Sequence, residues 1–401
     1  MALRLLVVAD DLTGAHDCAA RLASLGGPIP TARDARFLRP ARSAVAWVLD
    51  AETRFLKPAQ ARWRCAQAWA QLGQGMQAPW RFQKLDSTLR GNPGEEVEGL
   101  LQATAAPWVA VLPAYPRAGR LTLGGRHYVH GQPLEKSEFA RDPLTPARAG
   151  RPQDLFQAAM NLHVPLAWVR SGAARLASKL GHALKGKPAR VVTFDCATDA
   201  QVDHIAQAAL RLGCRHFAGA SALAGSLAKC LGSKPAQPAL PPQGLPWMIL
   251  AGSVSGRSFE QLGQAEGAGA LAWASIQSRP SLAVLRAARR LGPLALSTLA
   301  GRTGIASAAE GERAIQRLVR TALQVLPDPS KAAWSLTGGH CALRFFEAAA
   351  WQRFDVAGEV LPGVALGKAW GPRGGAWVCT KPGGFGQVDL YSRLLQLVRA
   401  R

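Results

Sequence analysis

Polar residues follow the ends of three apolar runs in the first ninety positions. Asp10 and Asp11 follow the run 3–9, and Asp50, Glu52 and Arg54 follow the run 44–49. Lys84, Leu85, Asp86, Ser87 and Arg90 surround the end of the run 81–85. Carboxylates can orient or deprotonate a hydroxyl, and Arg and Lys can hold a carboxylate. One acid after a strand is often only a cap for the next helix. Three runs that each end in acids beside Arg or Lys point to a site for a small anion.

The second half of the chain has a different kind of run end. Gly252-Ser-Val-Ser-Gly256, Thr337-Gly-Gly-His340 and Lys381-Pro-Gly-Gly-Phe-Gly386 each follow an apolar run and precede a predicted helix. Glycine lets backbone N–H groups approach a phosphate, and a helix N-terminus favours negative charge. Other formal motifs fail on inspection. Gly181-His-Ala-Leu-Lys-Gly-Lys187 nearly spells a P-loop, but Pro188 replaces its hydroxyl residue and a strand follows rather than precedes it. It reads as a surface loop. Val254 stands where a hydrolase elbow needs serine. No Gly-x-Gly-x-x-Gly follows the first run, so a dinucleotide site is disfavoured.

The elements that position these residues repeat as apolar strand, polar or Gly-rich loop, amphipathic helix. That alternation predicts an α/β fold of two domains, each a mainly parallel sheet flanked by helices. Ligands of such sheets bind beyond the carboxyl ends of the strands. The segment 232–246 holds five prolines and no periodicity, which places domains at 1–231 and 247–401 with a Pro-rich linker between. Asn92, Pro93 and Glu95 read as an N-cap, first turn and capping-box acid of one helix. From 116 to 150 the repeat lapses, as in a functional lid or an excursion onto a partner.

Bulk properties narrow the function classes. With 401 residues and 48% hydrophobic content, the chain can bury more than one core. No apolar run is long enough to span a membrane, and the apolar start ends too soon for a signal peptide. Seven dispersed cysteines without a Cys-x-x-Cys pair suggest reduced thiols in a cytoplasm, and His127-x-x-His130 is no zinc motif. The formal charge of +22 suggests nucleic acid, but the basic residues are spread along the chain without aromatic interleaving. The same charge favours anionic substrates.

With these loops in place, the chain resembles the four-carbon acid sugar kinase family. Ala9-Asp-Asp-Leu-Thr-Gly-Ala15, Asp50-Ala-Glu-Thr-Arg54 and above all Lys84-Leu-Asp-Ser-Thr-Leu-Arg-Gly-Asn92 are similar to that family's first three motifs. Pro113-Ala-Tyr-Pro116, Gly119-Arg120, Asp142-Pro-Leu-Thr-Pro146, Asp195-Cys-Ala-Thr-Asp199 and the stretch 219–227 continue the likeness. So do Gly252-Ser253, Thr337-Gly-Gly339, Pro362-Gly363 and Lys381-x-Gly-x-Phe-Gly386. The resemblance implies a substrate-binding first domain, an ATP-binding second domain, and phosphorylation of a terminal hydroxyl on threonate, erythronate or a 3-oxo-tetronate. It implies that Asp10 or Asp11, Arg54 and Lys84, Leu85, Asp86 and Ser87 face the substrate. Ser253, Gly338, Gly339, His340, Cys341 and Gly383 or Gly384 would face ATP.

On this reading Arg54 and Lys84, with Arg90, pair the substrate carboxylate. Asp10, Asp11 or Asp86 serves the hydroxyl, and Mg²⁺ bridges the phosphates of ATP. The expected partners are a small anionic sugar acid and ATP, with no membrane and no nucleic acid. A homo-oligomer is compatible with the sequence. The family usually carries an acid and a hydroxyl where this chain has His340-Cys341. That departure supports the alternative, a ligand-binding kinase homologue with a decayed nucleotide site.

Overall fold

The computed structural model describes residues 3–38, 44–74, 78–142, 145–156, 161–186, 190–234, 237–253, 255–298 and 308–399. Val254, Pro143-Leu144 and Lys187-Pro188, which the sequence reading used, lie outside them. The chain forms two compact units, Met1–Ile29 with Arg33–Pro235, and Pro30–Ala32 with Ala236–Arg401. The sequence reading left Pro30–Ala32 inside the first domain.

In the first unit the strands Ala46–Asp50, Leu5–Ala9, Trp80–Lys84, His216–Gly219, Val109–Leu112, Val191–Phe194 and Asn161–Val164 lie side by side in that order. Every pairing described among them is parallel. Leu5–Ala9, Ala46–Asp50, Val109–Leu112 and Val191–Phe194 are buried throughout, as strands covered on both faces by helices must be. The register sets Ala9 beside Asp50 and Lys84, and Lys84 beside Gly219. The polar exits predicted from sequence therefore leave neighbouring strands at one edge.

Two local expectations are corrected here. Asn92 does occupy the N-cap position of the helix Pro93–Thr104, but its side chain caps nothing. Its amide instead donates to the carbonyls of Thr53 and Leu56, each at 2.9 Å, and ties that helix to the 50s loop. The stretch 116–150 is not a bare loop. Arg120–Leu123, Arg126–Val129 and Gln132–Pro133 form a small antiparallel sheet. Val129 and Leu134 from this region pack with Leu89 of the 84–92 loop, which they cover.

The second unit orders Ala272–Ser275, Leu294–Ser297, Trp247–Ala251, Ala333–Thr337 and Gly374–Lys381 in parallel. Val364–Gly371 and Arg353–Leu361 then extend the sheet antiparallel, with Pro362-Gly363 as the turn between them. The sheet is thus mainly parallel with an antiparallel meander at one side. Ala251, Thr337 and Lys381 are register partners at the strand ends, so the three Gly-bearing exits are adjacent. Gly256–Gly267 and Gly339–Ala348 are helices that follow the first two exits directly, whereas Leu390–Arg399 starts four residues past Gly386.

The near-P-loop segment proves helical. Gly181 and Gly186 lie inside Ala173–Gly186, where Ala, Leu and Lys outweigh the two glycines. No helix among the described residues is long and apolar enough to cross a membrane. All seven cysteines are free thiols, and only Cys230 is exposed. Burial pushes the thiols of Cys18, Cys196, Cys214 and Cys341 up to about 12.

Candidate functional site

The centre of the first unit is Arg54, whose guanidinium is shared by three acids. Its Nε donates to Asp10 Oδ2 at 2.8 Å. Its terminal nitrogens donate to Asp11 Oδ2 and Oδ1 at 3.0 and 2.9 Å. Asp86 Oδ1 lies 3.5 Å away. All four side chains are at most 10% exposed. The sequence reading aimed Arg54 at the substrate carboxylate. In the structure its nitrogens meet the chain's own carboxylates, 32 to 44 residues away in sequence.

Each acid has its own setting. Asp11 caps the helix Leu12–Leu22 by accepting from the Gly14 amide at 2.8 Å, and it also accepts from the Thr13 hydroxyl at 2.7 Å. Asp86 accepts from Arg90 Nε at 2.9 Å and from the Thr88 hydroxyl. Arg90 reaches on to Asp142 at 3.2 Å and lies over the Phe139 ring. Burial drives Asp10 upward from the ordinary aspartate value, against Arg54. Burial opposes ionisation of Asp11 too, but Arg54 and Lys84 carry it below that value. Against the same burial, Arg90 and Arg54 hold Asp86 well below it.

Lys84 is 4% exposed and donates to the Leu85 carbonyl at 2.6 Å. Two of its ammonium hydrogens remain for other acceptors. Ser87 is buried, and its carbonyl meets His127 Nε2 of the small sheet at 2.9 Å. Leu89 and Glu52 hold positive φ angles of 54° and 51°. Side chains other than glycine seldom adopt that backbone unless surrounding contacts impose it. The strain falls in the loop that carries Arg54 and in the loop that carries Asp86.

Sequence reasoning missed a second buried layer. Glu96 accepts from the Thr53 hydroxyl at 2.7 Å, and burial drives its carboxyl well above the usual range. Asp50, also buried, is raised well above its ordinary value, first by burial and then by Glu52. A signal for Glu96 was present. Gly99 and Leu100, three and four residues on, share its helix face and are buried, so an acid there has no solvent to meet.

In the second unit Ser253 is the meeting point. A Cβ built on Gly338 would lie 3.6 Å from Ser253, and one built on Gly383 would fall 1.9 Å from Ser253 Oγ. A Cβ on Gly252 would lie 2.5 Å from that of Cys341. The structure therefore gathers Gly252, Ser253, Gly338, Gly339, Cys341 and Gly383 at one place, with Gly384 exposed beside Gly383. The Cys341 side chain is fully buried under Gly252 and packs rather than facing outward. His340 turns to Glu312, which also pairs with the Arg344 guanidinium at 2.9 Å.

Lys381 was part of a motif but was not singled out as a site residue. Its ammonium is 1% exposed and donates to the carbonyls of Pro382, Gly383 and Phe385 at 3.2, 3.1 and 3.3 Å. Burial lowers it to about 7. Ser258 and Gln261 brace the same loop through the Gly383, Phe385 and Gln387 carbonyls.

These glycines let the three loops pack closely against one another beside two helix N-termini, and backbone N–H groups gathered there suit a phosphate chain. Among the described residues no cluster of three or more His, Cys, Asp or Glu is placed to hold a metal ion. A divalent cation fits here only as one carried by nucleotide phosphates and water, the usual manner for Mg²⁺.

Residues 5–227 match the family model of a sugar-binding N-terminal domain, and 248–391 match that of a nucleotide-binding C-terminal domain. A D-threonate kinase of Cupriavidus necator is 33% identical over 410 residues, covering 95% of this chain and 94% of the relative. A D-erythronate kinase of Heliobacterium modesticaldum is 35% identical over 222 residues, 52% of this chain and 48% of the relative. Among solved structures, one from Salmonella typhimurium described as a putative tRNA synthase has a TM-score of 0.78 at 19% identity, covering 98% of both chains. That likeness shows the fold alone. A Bordetella bronchiseptica domain of unknown function, solved as a domain-swapped dimer with bound citrate, has a TM-score of 0.51 at 27% identity. It covers 100% of this chain and 99% of that one.

Proposed function

The chain belongs to the four-carbon acid sugar kinase family, and from that premise we propose that it transfers the γ-phosphoryl group of ATP to the terminal hydroxyl of a four-carbon sugar acid. The observation that supports this most is the gathering of Asp10, Asp11, Lys84 and Asp86 around Arg54 within the segment similar to a sugar-binding domain. The first unit, 1–231 in the sequence reading, is the acid-sugar domain, and 247–401 holds the nucleotide.

Arg54 fixes the acids rather than the ligand. The substrate's own carboxylate and hydroxyls then fall to Lys84, Ser87 and Arg90. Ser253, the Gly338–Gly339 turn and the Gly383–Gly384 loop hold the phosphates through backbone N–H groups and the serine hydroxyl. Mg²⁺, when bound, spreads the negative charge of the phosphate oxygens. Positioning and charge stabilisation supply most of the acceleration in such transfers. A cytoplasmic setting and a homo-oligomer belong to the same reading, the first from the free thiols and the second from the swapped dimer of the Bordetella relative.

An ADP-release assay over D-threonate, D-erythronate and 3-oxo-tetronates tests this. Turnover of at least one above the substrate-free rate is expected, and none with any of them would sink the kinase reading. The second reading, a binding protein with a decayed nucleotide site, draws on His340 being turned to Glu312 and Cys341 being buried. Calorimetry with Mg²⁺ and ADP separates them. Micromolar binding supports the kinase, and no heat at millimolar ADP supports the alternative.

A further inference from the structure

Resting on that kinase reading, we infer that Asp10, through Oδ1, is the general base that takes the proton of the acceptor hydroxyl. Three acids compete for the role, and their oxygens are not equally occupied. Asp11 Oδ1 accepts from the Gly14 amide and Arg54, and its Oδ2 accepts from Thr13 and Arg54. Asp86 Oδ1 accepts from Arg90 at 3.2 Å, and its Oδ2 accepts from Arg90 Nε and Thr88. Asp10 differs. Its Oδ2 is held by Arg54 at 2.8 and 2.6 Å. Its Oδ1 is buried and has no hydrogen-bond partner among the described residues. A buried acceptor left unmet is costly, and native structures seldom keep one without a use.

Gly14 brings the start of its helix close to that oxygen. A Cβ there would stand 2.5 Å from Asp11 Oδ1, 3.2 Å from Lys84 Nζ and 3.4 Å from Asp10 Oδ1. The Lys84 ammonium and the unmet Asp10 oxygen thus lie close together, which suits a hydroxyl that must donate its own proton while its oxygen is steadied. Arg54 holds the carboxylate at its other oxygen, so the accepting lone pairs keep one direction. Protonation behaviour agrees. Asp10 is raised by burial despite Arg54, whereas Asp11 and Asp86 are lowered. A weaker acid makes the stronger base.

The step balances as a proton transfer coupled to substitution at phosphorus. The hydroxyl oxygen bonds to the γ-phosphorus, and the bond from that phosphorus to the β,γ-bridging oxygen breaks. ADP departs with the electron pair. The hydroxyl proton moves to Asp10 Oδ1 and passes to solvent after product leaves.

The test compares Asp10→Asn, Asp10→Glu, Asp11→Asn and Asp86→Asn with the wild type, on the sugar acid it turns over fastest. Asp10→Asn is expected to lose about 10²–10⁴-fold in kcat, the range of a general base, while the sugar acid still raises its melting temperature. Asp10→Glu is expected to recover at least tenfold over Asp10→Asn and to show an acid limb in kcat against pH that Asp10→Asn lacks. Asp10→Asn within tenfold of wild-type kcat would overturn the assignment. So would Asp10→Glu being as inactive as Asp10→Asn, or a larger kcat loss in Asp86→Asn. If the wild type turns over no sugar acid, the kinase reading itself fails, a result distinct from these.

Discussion

Arg54 and Asp10 are joined twice at one oxygen, Nε to Oδ2 at 2.8 Å and a terminal nitrogen to the same atom at 2.6 Å. The same guanidinium meets Asp11 and Asp86. Removing it leaves three buried carboxylates without their shared cation. Arg54→Met should destabilise the protein by about 3–5 kcal/mol, the usual cost of breaking a buried pair from one side. Urea unfolding measures this. Arg54→Lys should recover only part of it, since an ammonium cannot present a fork to three acids. A loss below about 1 kcal/mol in Arg54→Met would mean the cluster behaves as a surface one.

Glu96 gives a stability change with a defined pH sign. Its folded-state carboxyl is raised well above the usual value by burial. Such a group contributes stability that is fully present below its unfolded value and is lost as pH rises through the folded one. Glu96→Gln keeps an acceptor for Thr53 and removes the ionisation. The variant should melt about 2–4 °C above wild type at pH 8 for each kcal/mol relieved, with the gap closing toward pH 4. A gap that widens on acidification would refute the assignment.

Gly14 sits in the first turn of a helix, where alanine ordinarily stabilises by about 1 kcal/mol. Here a Cβ would stand 2.5 Å from Asp11 Oδ1 and would enter the space before Asp10. Gly14→Ala should therefore lower kcat/KM for the sugar acid by at least about tenfold, or about 1.4 kcal/mol. Steady-state kinetics decides it. Unchanged kcat/KM would show that this space is not used.

Gly383 plays the matching part in the second unit. A Cβ there would lie 1.9 Å from Ser253 Oγ and 2.8 Å from its Cβ. Gly383→Ala must push the two loops apart, and ADP affinity by calorimetry should fall by about tenfold or more. The sugar-acid shift in melting temperature should survive, because its ligands lie in the first unit. Equal loss of both would point to general unfolding.

Lys381 holds three carbonyls of the 382–385 loop. Lys381→Met leaves them unmet and should cost about 1–3 kcal/mol locally. Hydrogen exchange should quicken across the loop, and ADP affinity should drop with it. Arginine should not substitute, because a planar fork cannot surround itself with three carbonyls as an ammonium can. Unaltered exchange in the loop would remove this role.

The strand exits were legible because each core strand is a short apolar run with an abrupt polar end. The register then brought Asp10, Asp50 and Lys84 to one edge, as parallel α/β sheets require. What the run ends did not disclose is where a side chain turns. Arg54 could face a ligand or its own acids, and only the fold brings Asp10 and Asp86 within its reach. The same applies to Asn92, which suits a cap by type but ties two loops together instead. The small sheet 120–133 escaped notice because its strands have four residues or fewer, too short for a period to register. The end of the helix Ala173–Gly186 escaped for another reason: once the P-loop was ruled out, its glycines pointed to a surface loop, although helix formers outnumber them.

Six of the seven thiols are sealed in the core, and Cys230 alone stands exposed at the end of the helix Ser221–Cys230. A maleimide dye should therefore mark the native protein at one position without any cysteine being engineered away. Partial burial and then neighbouring Asp203 raise that thiol's pKa, so mildly alkaline conditions suit the coupling. The fold thus comes with its own attachment point, outside the residues of both candidate sites, for following ligand binding by fluorescence.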